Sequence, residues 1–344
     1  MTLSNYMSDR QLEELESLLK AKEIELAAIK SRTNLEPVVP NFDGYEEQIR
    51  QDYLTRIPED ERKKLKYNTT KRFNDSIYEG DVLNDKRHGF GTMTYENGRT
   101  YIGEWRNELR HGRGVEKYSN GNIYKGEFIE GKAEGKGAYY WANGETYVGD
   151  WRHGCKEGKG KWASPENDYY IGEWQDSKAH GWGKHMWSTG DWYEGQWLGC
   201  MKHGLGIEYY AETGDKYIGE FKDGKPSGYG KYMYKNSTVY IGQFADGKKH
   251  GHGKLATNQN QIHLGEYKYD RKEGLGCFKW PSGNEYRGYF RDDKRNGKGI
   301  IRWSDGSFYD GEWLDGVQHG QGAMHFSDGR PPKIGKFDNN RFED

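Results

Sequence analysis

Six histidines stand at one repeated position, directly before a Gly-x-Gly pair, and such a row could bind a metal or carry protons. They are His88, His111, His180, His203, His250 and His319. Equivalent residues of stacked hairpins lie about 10 Å apart, so two of them cannot share one zinc ion at its bond length of about 2 Å. Other residue types fill the same position elsewhere, namely Glu134, Glu157, Ser227, Glu273 and Asn296. The row therefore predicts a structural role at a turn and no metal site.

Other chemistries have no support in the residues. Glycine-rich loops can hold phosphates, but these glycines lack a Lys-Ser/Thr signature and a following helix. The cysteines, Cys155, Cys200 and Cys277, have no CxxC spacing, which argues against a disulfide framework or a zinc site and favours a reducing compartment. No nucleophile stands beside a base in a recognisable motif. We therefore expect no enzyme and no cofactor.

The composition favours a folded chain with an aromatic core. Only 33% of the residues are hydrophobic, but there are 27 Tyr, 12 Trp, 12 Phe and 49 Gly, whereas disordered chains are poor in aromatics. With 52 basic and 54 acidic residues the net charge is −2, which argues against nucleic acid as a partner. The chain has neither a run of about 18 apolar residues nor a signal-peptide pattern, so we expect a soluble cytoplasmic protein.

Residues 1–77 are predicted to be a helical N-terminal extension, since only Gly44 of the glycines lies there. Ser8 and Gln11 resemble a capping box, and leucines at heptad spacing follow, so residues 8–32 are predicted to form one amphipathic helix. This helix docks on its own repeats or on a partner. The apolar residues expected to make that contact are Leu12, Leu15, Leu19, Leu26 and Ile29.

A connector and two short helices are predicted to follow. Pro37, Pro40 and Gly44 favour an extended chain. Two polar segments after it, Tyr45–Ile57 and Pro58–Tyr67, are each predicted to be helical, with Pro58 at the first helical position of the second. Lysines in the second segment are interpreted as a solvated helix face, with lipid binding as the alternative, because acidic residues precede them.

From residue 78 onward one unit recurs every 23 residues, with two steps of 24. It begins Tyr-x-Gly-x-aromatic, as at Tyr101, Gly103 and Trp105, and a Gly-x-Gly pair starts nine residues after the first glycine. Turn dipeptides such as Asn97-Gly98 follow in most units, and both of their residues tolerate positive φ. Each unit is therefore predicted to be a hairpin. The first glycines of the eleven full units, predicted to be structural, are Gly80, Gly103, Gly126, Gly149, Gly172, Gly195, Gly219, Gly242, Gly265, Gly288 and Gly311.

Alternation places Tyr101, Gly103 and Trp105 on one face of the first strand and Ile102 and Glu104 on the other. We expect the aromatic face to pack, the acidic face to be solvated, and the glycine to make room for the next repeat's aromatic. The second strand adds a further ring. Because one hairpin is marginal in water, the units must stack. The predicted fold class is an all-β repeat, an elongated single-layer antiparallel sheet of stacked hairpins with a helical N-terminal extension.

This unit resembles the repeat of the MORN family (membrane occupation and recognition nexus), which reads approximately YxGxWxxGxxxGxGxxxxxxG. The resemblance covers residues 78–337, as eleven repeats and a closing half repeat, and leaves residues 338–344 as a tail. The chain departs from the pattern at Val82 and at His263, which replaces the leading Tyr. Three residues replace the third glycine and leave the turn geometry there open: Asn167, Ser237 and Asn260.

Part of the aromatic row is expected to stay accessible, because a single-layer sheet cannot bury both faces against itself. Accessible aromatic surface usually marks a binding site, here for an extended or helical segment of another protein. The alternative is that the rings pack only on one another. The residues predicted to line this partner-binding groove are Tyr101, Trp105, Tyr124, Tyr147, Trp151, Tyr170, Trp174, Tyr193, Trp197, Tyr217 and Tyr240.

The resemblance implies a non-catalytic scaffold, similar to the MORN-repeat subunits of the ciliary radial spoke head. We therefore expect partner proteins of a large assembly, such as axonemal radial spoke subunits, in a cilium or elsewhere in the cytoskeleton. Homodimerisation through the sheet ends is a further expectation. A peripheral phosphoinositide tether and an adaptor that regulates a separate enzyme are the alternatives, and the near-neutral charge argues against lipid binding.

Overall fold

The computed structural model describes Ser17, residues 20–28 and residues 44–343. Its helices are α1 (residues 20–28), α2 (Tyr45–Arg56) and α3 (Glu59–Arg62), and the remaining elements are β-strands. The chain forms two compact units. Residues 44–190 and 196–201 belong to what we call the N-terminal unit, and residues 20–28, 191–195 and 202–343 to the C-terminal unit.

The N-terminal unit is an open antiparallel sheet in which consecutive strands are paired. Each repeat supplies an even-numbered strand with the Tyr-x-Gly motif and the odd-numbered strand with the Gly-x-Gly pair that follows it. Strand β12 (Trp192–Leu198) contributes residues to both units. The strands are β1 (Lys66–Arg72), β2 (Ser76–Leu83), β3 (Lys86–Tyr95), β4 (Thr100–Arg106), β5 (Leu109–Lys117), β6 (Ile123–Ile129), β7 (Lys132–Tyr140), β8 (Thr146–Arg152), β9 (Cys155–Ala163), β10 (Tyr169–Gln175) and β11 (Lys178–Met186).

The C-terminal unit repeats this arrangement, again with consecutive strands antiparallel. In both units the fold class predicted from the glycine period, a single layer of stacked antiparallel hairpins, is confirmed. The strands are β13 (Met201–Tyr210), β14 (Asp215–Lys222), β15 (Lys225–Met233), β16 (Val239–Ala245), β17 (Lys248–Ala256), β18 (Ile262–Lys268), β19 (Arg271–Lys279), β20 (Glu285–Arg291), β21 (Lys294–Arg302), β22 (Phe308–Leu314), β23 (Val317–His325), β24 (Lys333–Asp338) and β25 (Arg341–Phe342).

Helix α2 covers one face of the sheet in the N-terminal unit, the face opposite the motif tyrosines. Its Ile49, fully buried, packs in one cluster with Tyr45, Val115 and Ala138. Ion pairs border this contact, with Asp52 at 2.7 Å from Arg113 and Glu46 at 2.9 Å from Lys117. An apolar stripe with charged edges thus fixes the helix, as it does for surface helices generally.

Helix α1 lies on the corresponding face in the C-terminal unit. Leu26, which belongs to the predicted docking set, is 5% exposed and lies beside Leu205 and Ile218. Lys22 pairs with Glu220, and Glu23 lies 3.6 Å from Lys231. The other predicted docking residues, Leu12, Leu15, Leu19 and Ile29, lie outside the described residues.

The structure differs from the sequence prediction before the first repeat and after the last. The helix predicted over Pro58–Tyr67 is confirmed only at Glu59–Arg62, where α3 lies, and is wrong after it, because the chain then forms β1, which pairs with β2. The predicted tail 338–344 contains β25, which pairs with β24, and its Phe342 ring lies 5.2 Å from Phe337. Each added strand pairs with a strand that would otherwise expose unpaired backbone groups, which explains why polar segments enter the sheet.

Two kinds of tight turn connect the strands. Within a repeat both central residues have positive φ, as at Asn107 (47°) and Glu108 (76°), which is the type I′ geometry of two-residue hairpins. Between repeats, at Asn97-Gly98, only the glycine has a positive φ (84°), although both residues tolerate a positive φ. The Asn97 side chain instead accepts the N–H of Arg99 at 3.0 Å.

The three residues that replace the third glycine keep the same turn. Their φ values are 67° at Asn167, 69° at Ser237 and 58° at Asn260, in the left-handed region that glycine occupies elsewhere. Asparagine tolerates this region because its side chain can hydrogen-bond locally, and serine does so less well. The departure from the repeat pattern therefore leaves the backbone path unchanged.

Candidate partner-binding surface

Each motif tyrosine lies over a pair of glycines that face each other across two strands. The hydroxyl of Tyr101 donates to the carbonyl of Glu104 at 2.9 Å, across a bulge between β4 and β5. A Cβ on Gly103 would lie 2.5 Å from the Cα of Gly114, and a Cβ on Gly114 would overlap the Tyr101 ring. The ring that demands glycine is therefore the tyrosine of the same strand, and the prediction that it belongs to the next repeat is wrong.

This arrangement recurs through the array. Ten of the eleven predicted structural glycines meet the tyrosine two residues before them, and Gly265 meets His263 instead. Burial raises the pKa of eight of these tyrosines, namely Tyr78, Tyr101, Tyr124, Tyr147, Tyr170, Tyr217, Tyr240 and Tyr309. The pKa of Tyr309 is about 12, and the nearby carboxylate of Glu312 adds to the effect of burial. The hydroxyls therefore stay protonated and remain donors at physiological pH.

The fifth residue of the motif packs edge-on between two tyrosines. Trp105 lies 5.1 Å from Tyr101 and 5.5 Å from Tyr78 of the preceding repeat, with nearly perpendicular rings. Its indole N–H donates to the carbonyl of Gly91, also in the preceding repeat, at 3.1 Å. Edge-to-face pairs are worth about 0.5–1.5 kcal/mol each beyond the area they bury. Within each unit we call this row of rings the aromatic ladder, and it ties each repeat to its neighbour there.

All eleven residues predicted to line an open groove belong to the ladder and are buried. None has more than 8% of its surface exposed, and they are Tyr101, Trp105, Tyr124, Tyr147, Trp151, Tyr170, Trp174, Tyr193, Trp197, Tyr217 and Tyr240. The prediction of an accessible groove along this row is therefore wrong. Each tyrosine ring covers a glycine pair and is covered in turn by the neighbouring rings, so a single layer can bury its own aromatic face.

A second row of rings beside the ladder is half-buried and presents the accessible aromatic surface. We call it the outer aromatic row. In the N-terminal unit it comprises Tyr118, Tyr139, Trp141, Trp162 and Trp187, and in the C-terminal unit Tyr210, Tyr232, Tyr234, Phe278, Trp280 and Trp303. Trp141 packs 4.6 Å from Tyr139, and Trp280 packs 4.6 Å from Phe278 at the equivalent place. The sequence contained these rings, but strand alternation puts both rows on one face and does not say which lies deeper.

The acidic residue of the motif, expected to be solvated, binds the backbone of its own repeat. It accepts the N–H between the paired glycines nine positions later, as Asp150 does from Lys159 at 2.9 Å. Gln243 makes the same bond to His252 at 2.9 Å with its amide oxygen. The glycine before each donor has a positive φ, 59° at Gly158, which turns the N–H toward the side chain. The expectation of a purely solvated acidic face is thus wrong.

We expect Asp150→Ala to lower the free energy of unfolding by about 1–2 kcal/mol, because the Lys159 N–H loses its acceptor. Asp150→Asn is the matched control, since Gln243 shows that an amide oxygen can accept the equivalent bond. Urea unfolding measures the stability, and hydrogen exchange at Lys159 reports the bond itself. Equal stability of the alanine and asparagine variants would contradict this role.

His263 stands where the other repeats have the leading tyrosine. It is 1% exposed, its Nδ1 lies 2.8 Å from the Tyr267 hydroxyl, and its Nε2 has no hydrogen-bond partner among the described residues. Burial, together with the positive charge of Lys272, lowers the pKa of His263 to about 3. The imidazole is therefore neutral and replaces a tyrosine without making its bond to the backbone.

The histidines before the Gly-x-Gly pairs, first considered as metal ligands or proton carriers, include two with structural contacts. His88 lies 2.7 Å from Glu61, and His319 lies 3.2 Å from Asp338. Within the described ranges no cluster of three or more His, Cys, Asp and Glu side chains could hold a metal ion.

None of the helices among the described residues is long and apolar enough to span a membrane.

Comparisons with solved structures find, among others, the TCP domain of SAS-4 and the TCP10 domain of CPAP, both at low similarity. The SAS-4 (dCPAP) TCP domain of Drosophila melanogaster, solved with a proline-rich motif of Ana2 (dSTIL), is 15% identical, with 49% of this chain and 84% of that chain covered and a TM-score of 0.29. The TCP10 domain of Danio rerio CPAP is 9% identical, with 64% and 93% covered and a TM-score of 0.22. Such scores carry no argument about function. No curated protein matches the chain.

The model of the MORN repeat matches the chain eleven times. The matched residues are 78–98, 101–123, 124–146, 147–169, 170–192, 193–212, 217–239, 240–258, 263–285, 286–308 and 309–329. These matches are the same units whose glycine pairs and tyrosines build the ladder. The chain belongs to the MORN repeat family.

Proposed function

We propose that this protein is a non-catalytic scaffold that holds partner proteins through its outer aromatic row. The observation that carries the proposal is the half-burial of these rings in both units. Tyr and Trp dominate the energetic centres of protein interfaces, because large rings gain much contact area at little entropic cost. Rings already held by a neighbour, as Trp141 is by Tyr139, are ordered before a partner arrives.

The opposite face supports the same function by a different route. In each unit it binds a helix of the chain itself through an apolar contact with ion pairs at its edge, Ile49 of α2 in one and Leu26 of α1 in the other. A sheet that binds helical segments in this way has the chemistry to bind helices of other proteins. The ladder, in contrast, supplies stability.

The assembly we propose is a ciliary axoneme, with the protein in a radial spoke head, or another cytoskeletal structure. The partners are then other subunits of that assembly, and a second copy of the chain is a further candidate partner. The eleven consecutive repeats support a structural role. The choice of a spoke head rests on the resemblance of the repeat unit to that of the MORN-repeat subunits there.

Fractionation tests this proposal. The protein is expected to stay with isolated axonemes after high-salt extraction, and the double variant Trp141→Ala and Trp280→Ala is expected to enter the extract about tenfold more. The matched control, Tyr269→Ala, removes a ring that is 50% exposed at the turn between β18 and β19, outside the outer aromatic row, and is expected to behave as the unchanged protein. Recovery of the unchanged protein only in the soluble pool would refute an axonemal scaffold. Equal retention of the double variant would refute the outer aromatic row as the contact.

A peripheral membrane tether is the second candidate, favoured by one basic cavity in the C-terminal unit. Lys248, Lys268, Arg271 and Arg291 line it, but Glu273 and Asp292 do too, and Arg271 pairs with Asp292 at 2.6 Å. This internal pairing leaves less charge for a phosphoinositide headgroup. Flotation with anionic liposomes that is lost on adding salt would favour the tether, and so would its loss in Lys268→Ala.

An adaptor that regulates a separate enzyme is the third candidate, and it would use the same partner-binding surface.

A further inference from the structure

In the strand that carries the Gly-x-Gly pair of a repeat, the second residue points to the ladder, because it pairs directly with the fifth residue of the motif, as Lys156 does with Trp151. In seven repeats this residue is a lysine or arginine whose cationic group lies over ladder or neighbouring rings. They are Arg87, Arg110, Lys156, Lys202, Lys249, Lys272 and Arg295. We call this the cation position of a repeat.

Two repeats show the geometry most clearly. Lys156 Nζ lies 4.2 Å from the ring centre of Trp174 and 5.3 Å from that of Tyr147. The Arg295 guanidinium lies 4.2 Å from the ring centre of Trp313 and 5.7 Å from that of Tyr286. A cation over such rings is attracted by their negative faces. One tyrosine and the tryptophan of the next repeat thus form a seat for one positive charge.

Ala179 occupies the cation position of the repeat that follows Lys156, and there the seat has no cationic side chain of its own repeat. Tyr170 and Trp197 are the corresponding rings, 5.4 Å apart and perpendicular, as in the other seats. A cavity of about 270 Å³ opens at this place in the N-terminal unit. Its lining includes Lys156, Tyr170, Trp174, His185, Trp197 and Cys200.

The neighbouring ring explains why a cavity forms here. Three other repeats lack a cation, at Ala133, Pro226 and Gln318, and in them larger side chains occupy the place of His185, namely Tyr139, Tyr232 and Met324. The imidazole of His185 is smaller than a phenol, and it stacks on Trp187 at 4.2 Å and lies 2.5 Å from Asp168. A small residue at the cation position therefore coincides with a small ring beside it, and the space stays open.

We propose that this cavity binds the side chain of an arginine or lysine supplied by a partner protein, which completes the row of cations. The inference rests on the proposed scaffold function and names the chemistry of one contact within it. At about 270 Å³ the cavity is below the range of about 300–1,000 Å³ typical of sites for whole small molecules, and its size suits a single side chain.

The backbone offers an acceptor for the incoming group. Arg110 donates to the carbonyl of Gly131, and Arg295 to that of Gly316, each at 2.6 Å. At this cavity Cys200 takes the place of Gly131 and Gly316. Its N–H donates to the Ala179 carbonyl at 2.9 Å, just as the N–H groups of those glycines donate to the carbonyls of Arg110 and Arg295. Cys200 lines the cavity, so a guanidinium or ammonium in the seat can both contact the rings and donate to the carbonyl of Cys200.

Lys156 occupies the preceding seat and also lines this cavity, but its positive charge does not exclude a second cation. Lys249, Lys272 and Arg295 occupy three consecutive cation positions, so the chain itself places like charges in adjacent repeats. Carboxylates lie nearby, with Asp168 bonded to His185 and Glu145 bonded to Trp162 at 3.0 Å. The local charge around the cavity is therefore compatible with an incoming arginine.

A titration of the full chain, with its tryptophans labelled with nitrogen-15, tests the site. N-acetyl-arginine amide is expected to shift the indole signals of Trp174 and Trp197, with an affinity about tenfold above that of the neutral citrulline analogue. Ala179→Arg should abolish these shifts, because the chain then fills its own seat. Arg295→Ala is the matched gain-of-function variant and should create a new arginine-dependent shift at Trp313.

Equal affinity for the arginine and citrulline probes, or shifts that persist in Ala179→Arg, would overturn the proposal. If Ala179→Arg fails to fold, the decision rests on Arg295→Ala, and no new shift at Trp313 would overturn the idea of a cation seat. These outcomes are independent of the axoneme fractionation, so the cavity can fail while the scaffold stands. If both hold, Ala179→Arg should also weaken retention on axonemes.

Discussion

Replacing Gly172 by valine is expected to lower the free energy of unfolding by about 3 kcal/mol or more, at the upper end of the cost of overpacking a core. A Cβ at this position would lie 2.5 Å from the Cα of Gly183 and 2.6 Å from the Tyr170 hydroxyl. Neither neighbour can move away, since the first is paired backbone and the ring is held between Trp174 at 5.0 Å and Trp197 at 5.4 Å. The branched side chain must therefore push β10 and β11 apart or displace the ring.

Gly154→Ala is the matched control, because it adds a side chain to a glycine with φ of 86° and no atom within 4 Å. It should cost about 1–2 kcal/mol, the strain of a left-handed residue alone. Urea unfolding compares the two variants, and hydrogen exchange shows whether the loss is confined to the strands around Gly172, as nearest-neighbour stability in repeat proteins predicts. An unchanged melting temperature for Gly172→Val would contradict the stacked-ring model.

Replacing His263 by tyrosine is expected to stabilise the C-terminal unit and to remove part of its sensitivity to acid. The new hydroxyl can donate to the Glu266 carbonyl, as Tyr240 donates to that of Gln243 at 3.0 Å, and both glycines that accommodate the ring are present at Gly265 and Gly276. We expect a gain of about 1 kcal/mol at neutral pH, the usual net value of one intramolecular hydrogen bond.

The effect of pH follows from the lowered pKa of His263. The folded value is about 3 and the unfolded value 6.5, so the unfolded chain binds the proton more tightly and acid favours unfolding. The free energy of unfolding therefore keeps its full value above about pH 6.5 and decreases as the pH falls toward 3. Between pH 7.5 and pH 5 the loss is about 2 kcal/mol.

Unfolding free energies of the unchanged protein and of His263→Tyr, measured at both pH values, isolate this group because all other titrating groups are shared. The difference between the two proteins should grow by about 2 kcal/mol on acidification. A difference that stays constant would show that His263 titrates normally in the folded state. His263→Phe separates the two effects, since it removes the titration without adding the hydroxyl.

The outcome at the ladder shows where sequence patterns lose predictive power. Alternation along a strand correctly places Tyr101, Trp105 and Trp141 on one face, but it carries no information on depth within that face. Depth depends on the glycine pairs, which leave space under Tyr101 and none under Trp141, and it appears only when the partner strand is in register. The predicted groove therefore became the core, and the half-buried rings beside it became the candidate site.

The sequence by itself determined the repeat, its hairpin character and the antiparallel sheet, because a glycine recurring every 23 residues with turn dipeptides between leaves few other folds. Only the tertiary structure decided that β1 and β25 extend the sheet, that Asp150 binds Lys159 and that a cavity opens at Ala179. The physical reason is the range of the interactions. Turn and alternation preferences act within a few residues, whereas edge pairing, ring burial and a missing cation depend on what the neighbouring repeat supplies.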